Sequence, residues 1–380
     1  MIRGYKIRIY PTKDQEKLMW KHINACRFIW NYMIETQQKT RDSGGKYISA
    51  FGMINLLKPL KNDGEHNWLY EVSNHSLQIV CKNLDQRYSL FFNKTSGYPH
   101  FKNKKKTRPI FPIRTDRFYF KNDKYVHVEK IGDLKYRTDF MFKSGMRKYN
   151  FYNTRISYVN GKWLLSFGLE HENQVQKLMN ISMGIDLGVK ELAVVEYDGN
   201  GIVFRNINKT KKMKDIENRI KFYQRKASRK YEVNRSGNKY NKTKNIIKVE
   251  NKMRKLYAHQ SNIRLNYIHQ ITHCLVSLKP RRVVMEKLNI QGMLKNKYLS
   301  KAIHEQCFAK FIRIMKYKCE QNNIEFVQAD RFYPSSKTCS CCGHIKKNLK
   351  LSDRIYVCEE CGNVIDRDYN AAINLSRYTV

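Results

Sequence analysis

One stretch near the C-terminus, residues 358–372, reads CEECGNVIDRDYNAA. It begins with a C-x-x-C pair, and fifteen residues separate this pair from an earlier one. Two such pairs at this spacing are typical of a zinc ribbon and rarely serve packing alone. Four thiolates leave zinc no open coordination position, so we expect a structural Zn²⁺. Its predicted ligands are Cys339, Cys342, Cys358 and Cys361; Cys341 is interpreted as a spare thiol.

The elements predicted upstream and downstream of the cysteines have a recognisable order. A strand from Met183 to Tyr197, interrupted after residue 185, is followed by a turn and a strand that pairs back. A helix, a strand from Arg281 to Leu288, a helix over 296–322, a strand near residue 325, the cysteine insert and a final helix complete it. This is the order of a ribonuclease H-like fold.

Acidic residues occupy the positions at which such a fold brings carboxylates together. They are Asp186 on the first strand, Glu286 on the fourth and Asp368 at the start of the last helix. Because neighbouring carboxylates repel each other, they require divalent cations between them. Two Mg²⁺ ions, for which Mn²⁺ can substitute, would clamp a phosphodiester for hydrolysis. Taken singly, each acid could be a turn residue, a surface acid or a helix cap; their joint order favours a nuclease.

The composition indicates a polyanionic partner. Lys and Arg number 73 against 33 Asp and Glu, a formal net charge of +40. Between Lys209 and Lys255, eighteen basic residues face four acidic ones in predicted long helices broken near Gly237. Nucleic acid is the expected partner because phosphate contacts dominate its affinity. No apolar run approaches the ~20 residues that span a bilayer, and no secretory signal follows Met1, so we expect a cytoplasmic protein with reduced thiols.

The first half of the chain predicts a sheet that carries a helical insertion. Residues 2–10 alternate as a strand with one basic face, and Thr12 with Gln15 forms a capping box before helices that run to about residue 94. Residues 108–174 are rich in short β-strands and contain the hairpin turn Asn160-Gly161. We expect the first strand to join this sheet.

The chain resembles the TnpB family over essentially its whole length. The motifs that carry the resemblance are Lys6–Gln15, Ala25–Phe28 with Asn31, Gly97–Pro99 with Phe101-Lys102, Gly184–Gly188, Ser335–Gly343, Cys358–Gly362 and Asp366–Asn374. Proteins of this family are encoded by insertion sequences and are similar to type V CRISPR effectors. One departure is Arg264-Leu265-Asn266, where family members often have an acid at the third position.

The resemblance implies an architecture. It predicts a wedge β-barrel (1–11 and 95–174), a helical recognition insert (12–94), a linker (175–182), a RuvC-like nuclease (183–330 and 366–380) and a zinc ribbon (331–365). It places the catalytic, magnesium-binding triad on Asp186, Glu286 and Asp368, and Asp366 is not chosen because the family's last acid lies two residues before the Asn of the N-A-A run.

The resemblance also implies an activity. The protein would use a guide RNA made from the transposon end to cleave double-stranded DNA beside a short target-adjacent motif. Two alternatives stay open from the sequence: a transposase that uses the same acids for strand transfer, and a cleavage-dead RNA-guided repressor. The oligomeric state is left open.

Overall fold

The computed structural model describes residues 2–138, 150–171, 176–350 and 353–379. The chain divides into two compact units, Met1–Glu172 and Asn173–Val380. Parts of four predicted segments lie outside the described residues: 1, 139–149 and 172–174 of the predicted β-barrel, 175 of the linker, 351–352 of the ribbon, and 380 of the nuclease.

The first unit packs helices against an antiparallel sheet in one hydrophobic core. Its sheet has the strand order β2-β6-β7-β1-β5-β4-β3, so the N-terminal strand joins the sheet as predicted. Among the described residues, the edge strands β2 and β3 are not paired with each other, and the sheet is open where a closed barrel was expected. The elements in chain order are β1 (Ile2–Tyr10), α1 (Lys13–Asp42), α2 (Ala50–Asn55), α3 (Leu57–Lys61), α4 (Asn74–Phe92), β2 (Ile110–Pro112), β3 (Phe118–Phe120), β4 (Tyr125–Val128), β5 (Gly132–Arg137), β6 (Phe151–Val159) and β7 (Lys162–Glu170).

Local sequence signals account for the boundaries of these elements. The predicted capping box is present, with the Thr12 hydroxyl accepting from the backbone of Gln15 and the Gln15 side chain accepting from the backbone of Thr12. Asn160 and Gly161 both have positive φ, 51° and 79°. Two consecutive residues with positive φ are typical of a type I′ turn, whose twist suits a two-residue hairpin loop. This turn joins β6 to β7.

The second unit contains a five-stranded mixed sheet with the order β10-β9-β8-β13-β14. Strands β8, β13 and β14 are parallel, and β9 and β10 are antiparallel neighbours, which is the predicted ribonuclease H-like arrangement. The elements are β8 (Met179–Leu187), β9 (Glu191–Tyr197), β10 (Asn200–Arg205), α5 (Lys211–Val233), β11 (Arg235–Ser236), β12 (Lys239–Tyr240), α6 (Lys244–Ser277), β13 (Pro280–Glu286), α7 (Ile290–Leu294), α8 (Ser300–Gln306), α9 (Phe308–Gln321), β14 (Glu325–Ala329), β15 (Ile355–Val357), β16 (Val364–Asp366) and α10 (Arg367–Ser376).

Two predictions for this unit are corrected. Strand β8 begins at Met179, so half of the predicted linker over 175–182, residues 179–182, is strand, because Met179 and its neighbours pair with the start of β13. The single helix predicted over 296–322 is two helices, α8 and α9. The break lies at Cys307, whose left-handed backbone (φ 56°) ends one helix and precedes the next.

The basic region folds as the predicted helical hairpin. Helices α5 and α6 pack through a small apolar cluster that includes Met213, Ile216, Ile220 and Leu256. The short antiparallel strand pair β11–β12 connects the two helices. Although α6 has 34 residues, none of the described helices combines the length and apolar character needed to cross a bilayer.

Candidate functional site

Two of the three predicted acids lie side by side on the sheet of the second unit. Strands β8 and β13 are parallel neighbours, with Ile185 opposite Met285. The next residue on each strand is an acid, Asp186 on β8 and Glu286 on β13. Since parallel strands end at the same edge of a sheet, this register brings both carboxyl groups to one edge.

Helix α10 carries the third acid across the same strands. It packs on β8, β9 and β13, and its backbone passes directly over Gly184. A methyl group at Gly184 would lie 1.9 Å from the Ala372 carbonyl oxygen and 2.5 Å from the Ser376 nitrogen. The glycine is therefore required for this close approach, which places Asp368, in the first turn of α10, near Asp186.

The electrostatics of Asp186 reflect the presence of the other two acids. Its pKa is raised to about 7, first by burial and then by the charges of Asp368 and Glu286, against the opposing charge of Arg367. Burial also raises the pKa of Glu286. The structure thus brings the three sequence-predicted acids into one electrostatic cluster.

Two arginines beside Asp368 were not predicted from the sequence. Arg354 of the ribbon lies 3.8 Å from one carboxylate oxygen of Asp368, and Arg367 lies 3.4 Å from the other. Arg367 is the middle residue of the D-R-D run, and that position was the only signal in the sequence. These cations offset part of the negative charge that the cluster concentrates.

Asp366 has a different role from Asp368. It is the N-cap of α10, and its Oδ1 accepts hydrogen bonds from the backbone nitrogens of Asp368 and Tyr369, each at 3.0 Å. Its side chain is thereby directed to the helix end. The geometry separates the two aspartates as a cap and as a member of the acidic cluster.

The residues present fit divalent cations. Oxygen ligands from carboxylates are what Mg²⁺ and Mn²⁺ prefer, and the raised pKa values mean that the charged forms lack sufficient compensation from the protein alone. Within the described part of the chain, one set of candidate ligand atoms lies within 4.8 Å of one another, and it is the cysteine set.

The four predicted cysteine ligands form that closely gathered set. Cys339 and Cys361 have their sulfur atoms 3.6 Å apart, and those of Cys342 and Cys358 are 3.5 Å apart. A tetrahedral zinc with Zn–S bonds of about 2.3 Å separates its sulfurs by slightly less than 4 Å. Although burial acts to raise the pKa of Cys339, backbone N–H groups of Cys342 and Cys341 lower it to about 6, which favours the thiolate. Cys341 is exposed and lies outside the set.

Buried asparagines join α10 to the ribbon. Asn370 donates to the Thr338 carbonyl (2.7 Å) and accepts from the Ser340 nitrogen (2.9 Å). One turn later, Asn374 donates to the carbonyls of Ser335 and Thr338. The i, i+4 spacing of two asparagines around the apolar run 371–373 was the sequence signal for this contact, which was not predicted.

A further network holds the loop that follows Asp186. Gln306, which is buried, donates to the carbonyls of Gly188 and Val189 at 3.0 and 3.2 Å. Arg264 bonds Asn208 and lies 3.3 Å from Glu305. Arg264, the first residue of the Arg264-Leu265-Asn266 departure, is thus paired with an acid on a different helix.

Three family descriptions match parts of the chain. They are the helix-turn-helix domain of OrfB_IS605 over residues 1–46, the OrfB_IS605 "Probable transposase" over residues 166–297, and the Cas12f1-like TNB domain over residues 308–375. The last of these spans the four cysteines. Within residues 1–46, the described part of the chain forms β1 and the single long helix α1.

Relatives match along nearly the full length. "Putative RNA-guided DNA endonuclease" of Streptomyces pristinaespiralis is 27% identical over 98% of this chain and 88% of its own length. "Putative RNA-guided DNA endonuclease InsQ" of Escherichia coli K12 is 27% identical, with coverage of 98% and 91%. "TnpB-like protein L770" of Acanthamoeba polyphaga mimivirus is 26% identical, with coverage of 98% and 72%.

A solved structure shares the fold. The protein in the Cas12f1–sgRNA–target DNA complex superposes with a TM-score of 0.58 at 16% identity, over 99% of this chain and 98% of that one. The chain therefore shares the fold of that protein, with a ribonuclease H-like sheet and a zinc-ribbon insert that holds the cysteine cluster. Along its length, the chain is similar to TnpB-like proteins and to the OrfB_IS605 and Cas12f1-like TNB family descriptions.

Proposed function

We propose that the protein is an RNA-guided DNA endonuclease encoded by a transposable element. It would use a guide RNA from the transposon end and cut double-stranded DNA next to a short target-adjacent motif. The relatives' names support the endonuclease activity. The observation that carries the chemistry is the arrangement of Asp186, Glu286 and Asp368: β8 and β13 lie in parallel register with their acids at one edge of the sheet, and α10 packs over Gly184.

In this proposal, the three acids are the catalytic residues and hold two Mg²⁺ ions. When bound, the ions stabilise the attacking and leaving oxygens of phosphodiester hydrolysis. Asp186 and Glu286 are presented by adjacent strands whose parallel register limits their movement. Asp368 is presented by α10, which is anchored to the ribbon by Asn370 and Asn374. In this proposal, Zn²⁺ is structural: it stabilises the ribbon, and the ribbon in turn holds α10 in position.

The basic hairpin of α5 and α6 is the proposed surface for the guide–target duplex. Its few acids are engaged locally: Glu217 pairs with Lys221 and Lys301, and Glu250 pairs with Lys242. Most of the eighteen basic residues therefore remain available for phosphates. Exposed aromatic rings on the same hairpin, which can stack on bases, are Phe222, Tyr240 and Tyr257.

The test is to express the chain with its flanking element DNA, purify it, sequence the copurifying nucleic acid and challenge a randomised plasmid library. We expect one defined RNA, and double-strand cleavage at sites that match it and share one fixed flanking motif. The matched control is the same preparation after nuclease removal of the RNA, which should not cut at those sites.

Two outcomes would contradict the proposal. Cleavage that ignores the RNA sequence, or joining of strands in place of hydrolysis, would favour the transposase that the family description names. RNA-directed binding without any cleavage in Mg²⁺ or Mn²⁺ would favour the repressor.

A further inference from the structure

Two motif segments of the first unit meet at a small basic pocket to which the proposed chemistry assigns no role. One segment is part of α1 and the other is the chain that follows α4. The pocket has a volume of about 180 Å³. Its lining comes from both segments and includes Trp20, Arg27, Lys102 and Arg108.

The pocket is built by specific contacts between the two segments. Asn31 of α1 donates to the Lys102 carbonyl (3.1 Å) and accepts from the Lys102 nitrogen (2.7 Å). The indole of Trp30 donates to the His100 carbonyl at 3.0 Å. These bonds fix the backbone of Lys102 against the helix, so the position of this lysine is determined by the fold.

The ammonium group of Lys102 is held over an aromatic ring without a carboxylate partner. It lies 3.5 Å from the centre of the Trp30 ring, and burial lowers the pKa of Lys102 to about 8. Its thiol neighbour Cys26 does not compensate, since burial raises the pKa of that group to about 12. A partly buried cation of this kind is stabilised by an anion that enters the pocket.

The other charges at the pocket have the same sign. Arg27, Lys104 and Arg108 join Lys102 in the lining, and no acidic residue belongs to it. In the part of the chain that the structure describes, none of the four cations has a carboxylate within ion-pair distance. The apolar part of the lining includes the side chains of Trp20, Ile23 and Ile110. A ligand for this lining has an anionic group and an adjoining less polar part.

The size of the pocket restricts that ligand. Sites for drug-sized molecules measure roughly 300–1,000 Å³, and this pocket is smaller. A phosphate with its adjoining sugar or one base is of the right size, whereas a nucleotide triphosphate or a base pair is not. We propose that the pocket binds one internucleotide phosphate of a nucleic-acid strand, with the adjoining sugar or base on the wall of Trp20, Ile23 and Ile110.

This inference rests on the proposed function for its choice of partner and deepens it by naming a contact site. The phosphate belongs either to the guide RNA or to the target DNA, and two binding measurements separate these sources. The first measures the affinity of RNA-free protein for its RNA, and the second measures the affinity of the RNA-loaded complex for target DNA, both as a function of salt concentration.

The variants are Arg27→Gln, Lys102→Met and Arg108→Gln. Lys102→Met keeps the aliphatic stem over Trp30, and thermal unfolding checks that each variant is folded. The matched control is Lys124→Gln, an exposed lysine next to β4, near the opposite edge of the sheet from β2. If the pocket binds a phosphate, each pocket variant lowers the slope of log affinity against log salt by about 1, beyond any change in the control.

The binding measurement in which the slope falls, with RNA or with target DNA, identifies the source of the phosphate. Acylation of lysines, read by mass spectrometry, gives a second measurement: bound nucleic acid should protect Lys102 and Lys104 but not Lys124. The inference would be overturned if the pocket variants had the same slopes as Lys124→Gln in both binding measurements and Lys102 were still acylated in the complex. RNA-guided cleavage would be left intact by that result. If RNA-guided cleavage itself is absent, the same slopes are measured with a plain single-stranded oligonucleotide. Lower slopes in the pocket variants than in Lys124→Gln would support the pocket, and equal slopes would overturn it.

Discussion

The zinc ribbon and the acidic cluster gather similar numbers of metal-binding groups in different ways. The four thiols lie within 4.8 Å of one another, and all come from residues 339–361. The three carboxylates come from three separate elements, β8, β13 and α10. The ribbon is thus a local site, whereas the acidic cluster exists only when the whole sheet of the second unit is formed.

The two sets are alike in how they respond to their own charge before a metal binds. Backbone N–H groups lower the pKa of Cys339 to about 6 against the effect of burial, so one thiolate is available at neutral pH. Although a backbone N–H of Asn363 acts to lower it, the pKa of Cys361 is raised to about 12 by the neighbouring thiols. Burial and like charges raise the pKa of Asp186 to about 7. Both sets therefore oppose full ionisation until cations are bound.

The largest expected effect comes from removing one member of the acidic cluster. Asp186→Asn, Glu286→Gln and Asp368→Asn should each reduce cleavage by more than the roughly 10–100-fold that loss of an outer-shell partner costs, because each removes a proposed metal ligand. Binding of RNA and DNA should change little, since no phosphate contact is lost. Cleavage rates and gel-shift affinities measure the two effects.

Asp198→Asn is the matched control. Asp198 is an exposed acid in the turn that joins β9 and β10, two strands of the same sheet. Its rate should equal that of the wild type. An active Asp368→Asn variant together with an inactive Asp366→Asn variant would show that the third acid is wrongly assigned.

The next largest effect tests the local site. Cys358→Ser should remove zinc and lower the thermal stability of the second unit, since binding energy in structural zinc sites is folding energy. Cleavage should fall as well, because Asn370 and Asn374 tie α10 to the ribbon. Native mass spectrometry should find one zinc per wild-type chain.

Cys341→Ser provides the control for this prediction, as Cys341 is a neighbouring cysteine outside the cluster. It should keep its zinc, stability and activity. A Cys358→Ser protein that still carries one zinc and cleaves normally would disprove the four-thiolate site.

How far the sequence predicts each region follows from the same contrast. The cysteine ligands could be read from spacing because their geometry is local. The ribonuclease H-like order was also predictable, because apolar strands and long helices alternate clearly. Arg354 beside Asp368, and Glu305 beside Arg264, could not be predicted, since each pair joins residues from separate elements with no shared periodicity. The helix break at Cys307 was missed because left-handed backbone at a cysteine has no sequence signature.

A smaller effect is expected from pH in metal-free protein. The pKa of Asp186 is about 7, above its ordinary value of 3.8, so the folded state retains a proton that the unfolded state has lost between these values. The stability of the folded protein is therefore unaffected by Asp186 below pH 3.8, where both states hold the proton. It falls as the pH rises from there through about 7, because the unfolded state releases the proton first. Asp186→Asn removes the titration, so the variant should gain stability over the wild type between pH 5.5 and pH 8.

Differential scanning fluorimetry of both proteins in EDTA measures this effect. Added Mg²⁺ should stabilise the wild type more at pH 8 than at pH 5.5, because the ion requires the ionised carboxylate, and should stabilise the variant less at either pH. A stability difference between the two proteins that does not change with pH would contradict the electrostatic coupling of the cluster.

The smallest expected effect comes from Asp366, which belongs to the helix end between the two sites. Its Oδ1 accepts hydrogen bonds from two backbone nitrogens at the start of α10, and loss of such a cap costs about 1 kcal/mol. Asp366→Ala should therefore lower the free energy of unfolding by that order and reduce cleavage only slightly. Asp366→Asn keeps a cap acceptor and should restore most of the stability, because the cap needs an oxygen acceptor and not a charge. If Asp366→Asn is as inactive as Asp368→Asn, the charge of Asp366 itself is required, and the division of the two aspartates into a cap and a metal ligand is wrong.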